Sequence, residues 1–153
     1  MPAKQLASNS RSKSGPSPQT STKTSARMRA TKGRNNTKEL AIRSALHAAG
    51  YRFRVCLPVP GVPRRSIDIA FVGIKLAIFL DGCFWHACPV HGTMPKTDTE
   101  WWAAKLKRNR ERDNDTDRVL IQAGWHPARF WEHTDDREIV HRVTSLVRAL
   151  SNN

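Results

Sequence analysis

Between Lys75 and His91 the chain reads KLAIFLDGCFWHACPVH, and this stretch limits the possible folds more than any other. Leu76 to Leu80 is an apolar run of strand length, the pattern of a buried strand. Asp81-Gly82 then breaks it with residues that turn the backbone easily. Cys83, Phe84, Trp85, His86, Cys88 and His91 all fall within ten residues of that break. A strand end does not need soft metal ligands, two large rings and an extra imidazole for its own stability. Function is expected there.

The flanking segments supply the rest of a small mixed fold. Thr37 to Ala49 has helical spacing through Leu40, Ala41, Ala45, Leu46 and Ala49, and Gly50 stands where a left-handed stop is wanted. Glu39 lies in its first turn, where the helix dipole favours a carboxylate, and that alone accounts for it. Tyr51 to Cys56 alternates as a half-buried strand does, with Cys56 as a small core residue. Leu57 to Pro63 is expected to be loop, since three prolines in seven residues disrupt a ladder. Ser66 to Val72 is a strand carrying Asp68 in its apolar run. A buried ionised carboxylate is costly unless paired, hydrogen-bonded or metal-bound, so Asp68 is a candidate site residue.

Beyond the cluster, Thr97 and Glu100 fit a capping box for a long helix that ends at Gly124. Its middle is polar all round, as a solvated face or a break in the helix would be. Asn109 and Asp113, four apart, project from one face. Trp125 to Trp131 is a strand, placed at a sheet edge by Pro127. Asp135 and Glu138 suggest a second capping box. The last helix carries a core stripe of Ile139, Val143, Leu146, Val147 and Leu150. Helix, three strands, cluster, helix, strand and helix make an α/β or α+β sandwich around a mixed sheet. A chain of 153 residues is one domain's worth, with about five strands and three helices.

Charge points to the partner. The formal net charge is +13, unevenly spread. Residues 1–38 hold nine Lys/Arg and no acid, leaving 17 Lys/Arg against 13 Asp/Glu in the remainder. A basic arm on a basic chain suits a polyanion, most often nucleic acid, with a solubilising tail as the alternative. Residues 1–26 are Ser/Thr/Lys/Pro-rich and expected to be disordered, and residues 27–153 to form a single domain. Arg64 and Arg65 are expected to face the polyanion. Neither an apolar leader nor a membrane-length apolar run is visible, and three cysteines make no secreted disulfide framework, so the reading is soluble and intracellular.

Cys83-x4-Cys88-x2-His91 offers three ligands of the kind zinc prefers. His133, directly after the Trp125–Trp131 strand, is the preferred fourth, and His86 is its competitor. A Cys/His-rich loop without metal is the plainer reading. If His86 is not a ligand, it is a free imidazole suited to acid–base work. Phe84 and Trp85 either pack over the loop or stack on and wedge between bases. The residues alone leave that choice even.

The stretch DGCFWHACPVHGTMPKTDTEWWAAKLKRNRERD, followed by AGW and WEH, resembles the very short patch repair (Vsr) DNA mismatch endonucleases over about Met28 to His133. The resemblance implies a restriction-endonuclease-like, PD-(D/E)xK-like core. It implies catalytic magnesium held by Asp68 and the main-chain oxygen of Leu80, with His86 moving a proton. Glu39, Asn109 and Asp113 would complete the site through waters. Structural zinc would be held by Cys83, Cys88, His91 and His133, and Phe84, Trp85 and Met28 would intercalate beside the mismatch. The implied activity is a nick in one strand 5′ to the thymine of a T·G pair left by 5-methylcytosine deamination. A bacterial, cytoplasmic, nucleoid-associated monomer follows, with double-stranded DNA as substrate and mismatch-repair proteins as candidate partners.

Two positions depart from the family pattern. Asp81 stands where a histidine is frequent, as a candidate extra metal ligand, and His133 stands where a cysteine is frequent. The restriction-enzyme lysine is also absent. Two competing readings stay in view: a restriction-type nuclease cutting matched duplexes, and a non-catalytic zinc-stapled DNA-binding module.

Overall fold

One helix, three successive strands, a helix, a strand and a last helix build a four-stranded sheet with its covering helices. The computed structural model of the protein describes residues 37–152. The basic arm 1–26 and Met28 lie outside the described residues. Helix α1 (37–48) comes first. It is followed by β1 (Arg54–Val59), β2 (Val62–Phe71), a 3₁₀ turn (Val72–Ile74), β3 (Leu76–Asp81), α2 (Thr99–Gln122), β4 (His126–Trp131) and α3 (Asp136–Ser151). The sheet order is β1-β2-β3-β4. β1 with β2 and β2 with β3 pair antiparallel, while β3 and β4 are parallel. The expected order is therefore found, with its four strands among the described residues, against the about five that chain length allows.

Each face of the sheet is covered. On one side Ile42 and Leu46 of α1 and Ile139, Val143 and Val147 of α3 pack with Ile69, Phe71, Leu76, Ile78 and Phe130. On the other, Leu120 of α2 and Trp125 pack with Val59, Ile67, Ala70, Ala77 and Phe79. Ile42 and Leu46 are fully buried, and each contributes roughly 1.5–3 kcal/mol of hydrophobic stabilisation. The buried stripe of α1 is thus Ile42 and Leu46, so of the expected face only Leu46 is buried. Leu40 is 61% exposed, and Ala41, Ala45 and Ala49 face out as well. That orientation turns Glu39 and Arg43, both half-buried, toward the sheet.

Strand β1 starts later and runs further than expected. Tyr51 and Phe53 precede it and anchor the chain through their rings, 6.3 and 5.7 Å from that of Phe71. The Leu57–Pro63 segment is not a loop: β1 continues to Val59 and β2 begins at Val62, so only Pro60-Gly61 turns. Proline presets the first turn position and Gly61, at φ +77°, takes the left-handed second one. An edge strand tolerates Pro58, because half of its N–H groups have no neighbour to lose. Cys56 is exposed rather than core. Arg65 bonds Asp115 at 2.7 Å and Thr116 at 3.0 Å on α2, so it ties strand to helix instead of facing a polyanion.

Helix α2 runs unbroken through its polar middle, and Ala123 and Gly124 (φ +79°) end it as expected. Its start differs: Asp98, left-handed at φ 53°, is the N-cap without a side-chain cap bond, so Thr97 and Glu100 do not form a capping box. At α3, the Asp135 carboxylate does accept from the N–H groups of Arg137 and Glu138. Among the described residues no helix is long and apolar enough to cross a membrane.

Candidate active site and metal cluster

The site forms where β2 and β3 part. Their ladder runs from Phe71–Leu76 to Ile69–Ile78 and stops there. One residue beyond, Asp68 turns its carboxylate into the gap and accepts the Leu80 N–H at 2.8 Å. Side-chain alternation along β2 breaks at the same point: Ile69 belongs to the α1/α3 side and Ile67 to the α2 side. The N–H and C=O of one strand residue point the same way, so the Leu80 carbonyl also faces this gap. The next carbonyl, Asp81, faces the other way and accepts the Glu132 N–H at 2.9 Å. Burial, with further push from Glu39 and Asp81 against the Leu80 N–H and Arg43, raises the Asp68 carboxyl to about 6.

Four carboxylates gather here, and three have cationic partners. Glu39 pairs with Arg43 one turn on in α1, and the same guanidinium donates to the Asp68 carbonyl at 3.3 Å. Asp81, buried, meets Arg129 at 3.0 Å. Asp113 of α2 meets His86 Nδ1 at 2.5 Å. Among the described residues Asp68 alone of the four makes no salt bridge; its partner is a backbone N–H. Burial alone would lower the His86 imidazole, but Asp113 and Asp81 outweigh it and hold it above its ordinary value. Burial would likewise raise Asp113, yet His86 and Arg129 hold it below the usual carboxylate range. Both shifts favour the ionic form of the pair.

The aromatic pair sits on α2. Phe84, Trp85 and Trp102 pack ring against ring at 5.1 to 6.2 Å between centroids. Trp102 is buried, whereas Phe84 and Trp85 are half-exposed. Asn109 donates its side-chain N–H to the Trp85 carbonyl at 3.0 Å. Asn109 and Asp113 thus share a face of α2 and grip the residues on either side of the Trp85–His86 peptide.

The cluster loop is built on tight turns, with His86 N–H on Gly82 and Cys88 N–H on Cys83. A Cβ at Gly92 would stand 2.4 Å from the Cys88 carbonyl, so this crossing needs glycine. The loop brings Cys83, Cys88 and His91 to His133, with one ligand atom of each within 4.8 Å of the others. Tetrahedral zinc would set such atoms about 3.3–3.8 Å apart, a small side-chain adjustment from this arrangement. Two thiols and two imidazoles are a donor set compatible with zinc. Burial, and then the neighbouring Cys88, pushes the Cys83 thiol up to about 12. His86 faces Asp113 and lies outside this group of four.

Sequence reasoning missed Arg43, Asp117, Arg129 and Trp102. Arg43 follows Glu39, and Asp117 follows Asp113, at the four-residue spacing that shares a helix face. Arg129 was visible as a charge within an otherwise apolar strand.

The family model described as DNA mismatch endonuclease Vsr matches residues 18–91. The type II nicking enzyme V.NaeI of Lentzea aerocolonigenes is 42% identical over 120 residues, 76% of this chain and 72% of that protein. The type II nicking enzyme V.XorIIP of Xanthomonas oryzae pv. oryzae is 38% identical over 69% of this chain and 76% of its own. The DNA mismatch endonuclease Vsr of Escherichia coli is 35% identical over 69% of this chain and 66% of its own length.

Proposed function

The chain belongs to the Vsr family of DNA mismatch endonucleases, and from that premise we propose that it nicks one strand of duplex DNA 5′ to the thymine of a T·G mismatch. The observation that carries the reading is Asp68: a carboxylate without a salt bridge, raised to about 6 by burial, at the parting of two strands on a DNA endonuclease fold. Such a group suits a hard divalent cation, for which oxygen donors are the preferred ligands. Asp68 and the Leu80 carbonyl are the proposed ligands for magnesium. Bound there, the cation would neutralise charge developing on the phosphate and lower the pKa of a water.

The chain's own residues do the rest. Asp113 orients His86, whose imidazole exchanges a proton with the attacking water or the leaving oxygen. Arg43 holds Glu39 beside Asp68, so that Glu39 orders water around the cation, and Asn109 fixes the main chain carrying Trp85 and His86. Phe84 and Trp85, supported from below by Trp102, wedge into the duplex, with Met28 of the arm entering from elsewhere. Unstacking costs a few kcal/mol per step, and a mismatched pair lowers that cost. One such site in a monomer, with residues 27–153 as the catalytic unit on a PD-(D/E)xK-like core, makes one nick. Zinc held by Cys83, Cys88, His91 and His133 would staple the loop that carries the wedge to the end of β4.

The test uses purified protein, magnesium and two end-labelled duplexes that differ only by one T·G pair in place of C·G. A single-strand nick confined to the T·G duplex and lost in Asp68→Asn is expected. Cleavage of both strands of the matched duplex would favour a restriction-type nuclease, and binding without cleavage a non-catalytic module.

A further inference from the structure

The structure leaves one charged cluster outside that scheme, built around Arg129. This residue pairs in register with Phe79 on β3, two residues before Asp81. Its Nη1 donates to both oxygens of Asp81 at 3.0 and 3.2 Å. Its Nε and Nη2 donate to Asp117 at 2.8 to 3.0 Å. Nη2 also reaches the main-chain carbonyl of Asp113 at 3.3 Å, and the guanidinium lies 4.3 Å over the ring of Phe79. One planar cation thus joins β4, the end of β3 and two turns of α2.

We propose that Arg129 is a positioning residue of the nicking site, holding Asp81 as a neutralised internal anion rather than a cation ligand and fixing the α2 backbone that presents Asp113 to His86. The inference deepens the function proposed above and rests on it. Asp81 is 6% exposed and both its oxygens accept from Arg129 Nη1. A cation recruiting Asp81 would compete with Arg129 for those oxygens and set a second positive charge beside the guanidinium in a buried site, a costly arrangement. Asp68 has no such partner to displace. The second role follows from the chain path. Asp81 Oδ1 lies 3.8 Å from His86 Nδ1, and Asp113 has its carbonyl on Arg129 while its carboxylate holds the same imidazole. The ring is therefore located by two carboxylates that Arg129 places relative to each other.

The experiment measures Mn2+ binding to the full-length, DNA-free protein by electron paramagnetic resonance of the free ion, beside nicking of the T·G duplex. Asp68→Asn is expected to weaken Mn2+ binding by at least about tenfold, and Asp81→Asn by less than about twofold. Arg129→Met frees Asp81, so Mn2+ binding tightens by about threefold or more while nicking falls, and adding Asp81→Asn to that variant reverses the tightening. Arg129→Lys keeps the charge and is expected to keep wild-type Mn2+ affinity. A merely structural arginine would not give the reversal. Should Arg129→Met fail to fold, the Asp81→Asn measurement decides alone. Weakening by Asp81→Asn as large as that by Asp68→Asn overturns the inference and leaves the proposed function standing. Mn2+ binding that is absent, or indifferent to Asp68→Asn, overturns both.

Discussion

The backbone N–H of Leu80 donates to the Asp68 carboxylate at 2.8 Å, joining β3 to a strand with which its ladder has already ended. An ordinary ladder bond there would have hidden the Leu80 N–H and C=O against β2. The side chain replaces it, so one residue's carboxylate and another's carbonyl open into the same gap. Stability is given up at this point, because a half-buried carboxylate without a counter-charge opposes folding.

That cost gives a signed pH dependence. Asp68 titrates at about 6 in the fold against 3.8 for the free side chain. Between those values the native state holds a proton that the unfolded chain has released, so stability from this group falls as pH rises and the full cost is present above about 6. At about 1.4 kcal/mol for each pH unit, the cost is about 3 kcal/mol at most. Asp68→Asn keeps an oxygen for the Leu80 N–H and is expected to raise stability by about 1–3 kcal/mol at pH 8, with the gain vanishing toward pH 4. Urea denaturation at both pH values without added magnesium checks this, and the same variant is expected not to nick.

The His86–Asp113 pair has the opposite consequence. The imidazole is raised and the carboxylate lowered, so the pair stabilises the fold where both groups are ionised. Its contribution is lost as pH rises through the folded value of His86, or falls through that of Asp113. Asp113→Asn is expected to lower the His86 pKa, seen in its ring resonances by NMR, and to slow nicking by about tenfold or more.

Ring position separates wedge from support. Trp102→Ala removes a buried side chain and is expected to cost about 3–5 kcal/mol in thermal or chemical denaturation. Trp85→Ala or Phe84→Ala, at half-exposed positions, should cost less than about 2 kcal/mol of stability. Each is expected to weaken binding to a T·G duplex by about 1–3 kcal/mol. Equal loss of stability in all three variants would make the rings packing residues and nothing else.

For the Cys/His cluster, native mass spectrometry is expected to find about one zinc per chain. Cys88→Ser should lose it, and His133→Cys should keep it, since the ligand class is retained. Chelation is expected to cost several kcal/mol of stability. Unchanged denaturation after the metal is stripped would refute the staple.

Local pattern carried much of this protein on its own. The apolar run Leu76–Leu80, the Asp81-Gly82 break, the stop at Gly124, the cap at Asp135 and the stripe of α3 all depend on neighbours within a few residues. The bare amino-acid order expresses such neighbours. The same holds for Cys83, Cys88 and His91, while His133 joins them only because parallel pairing of β3 with β4 ends both strands at one level. Tertiary structure decided the rest. Which stripe of α1 is buried depends on what Ile42 and Leu46 meet across the sheet, and Pro58 of β1 is tolerated because that strand lies at the edge. Above all, charge partners were set by folding: Glu39, Asp81 and Asp113 each gained a cation, two of them from other elements or loops, and Asp68 did not. A carboxylate's chemistry depends on what surrounds it within a few ångströms, and Asp68 and Asp81 look alike until β2, β3, β4 and α2 are assembled around them.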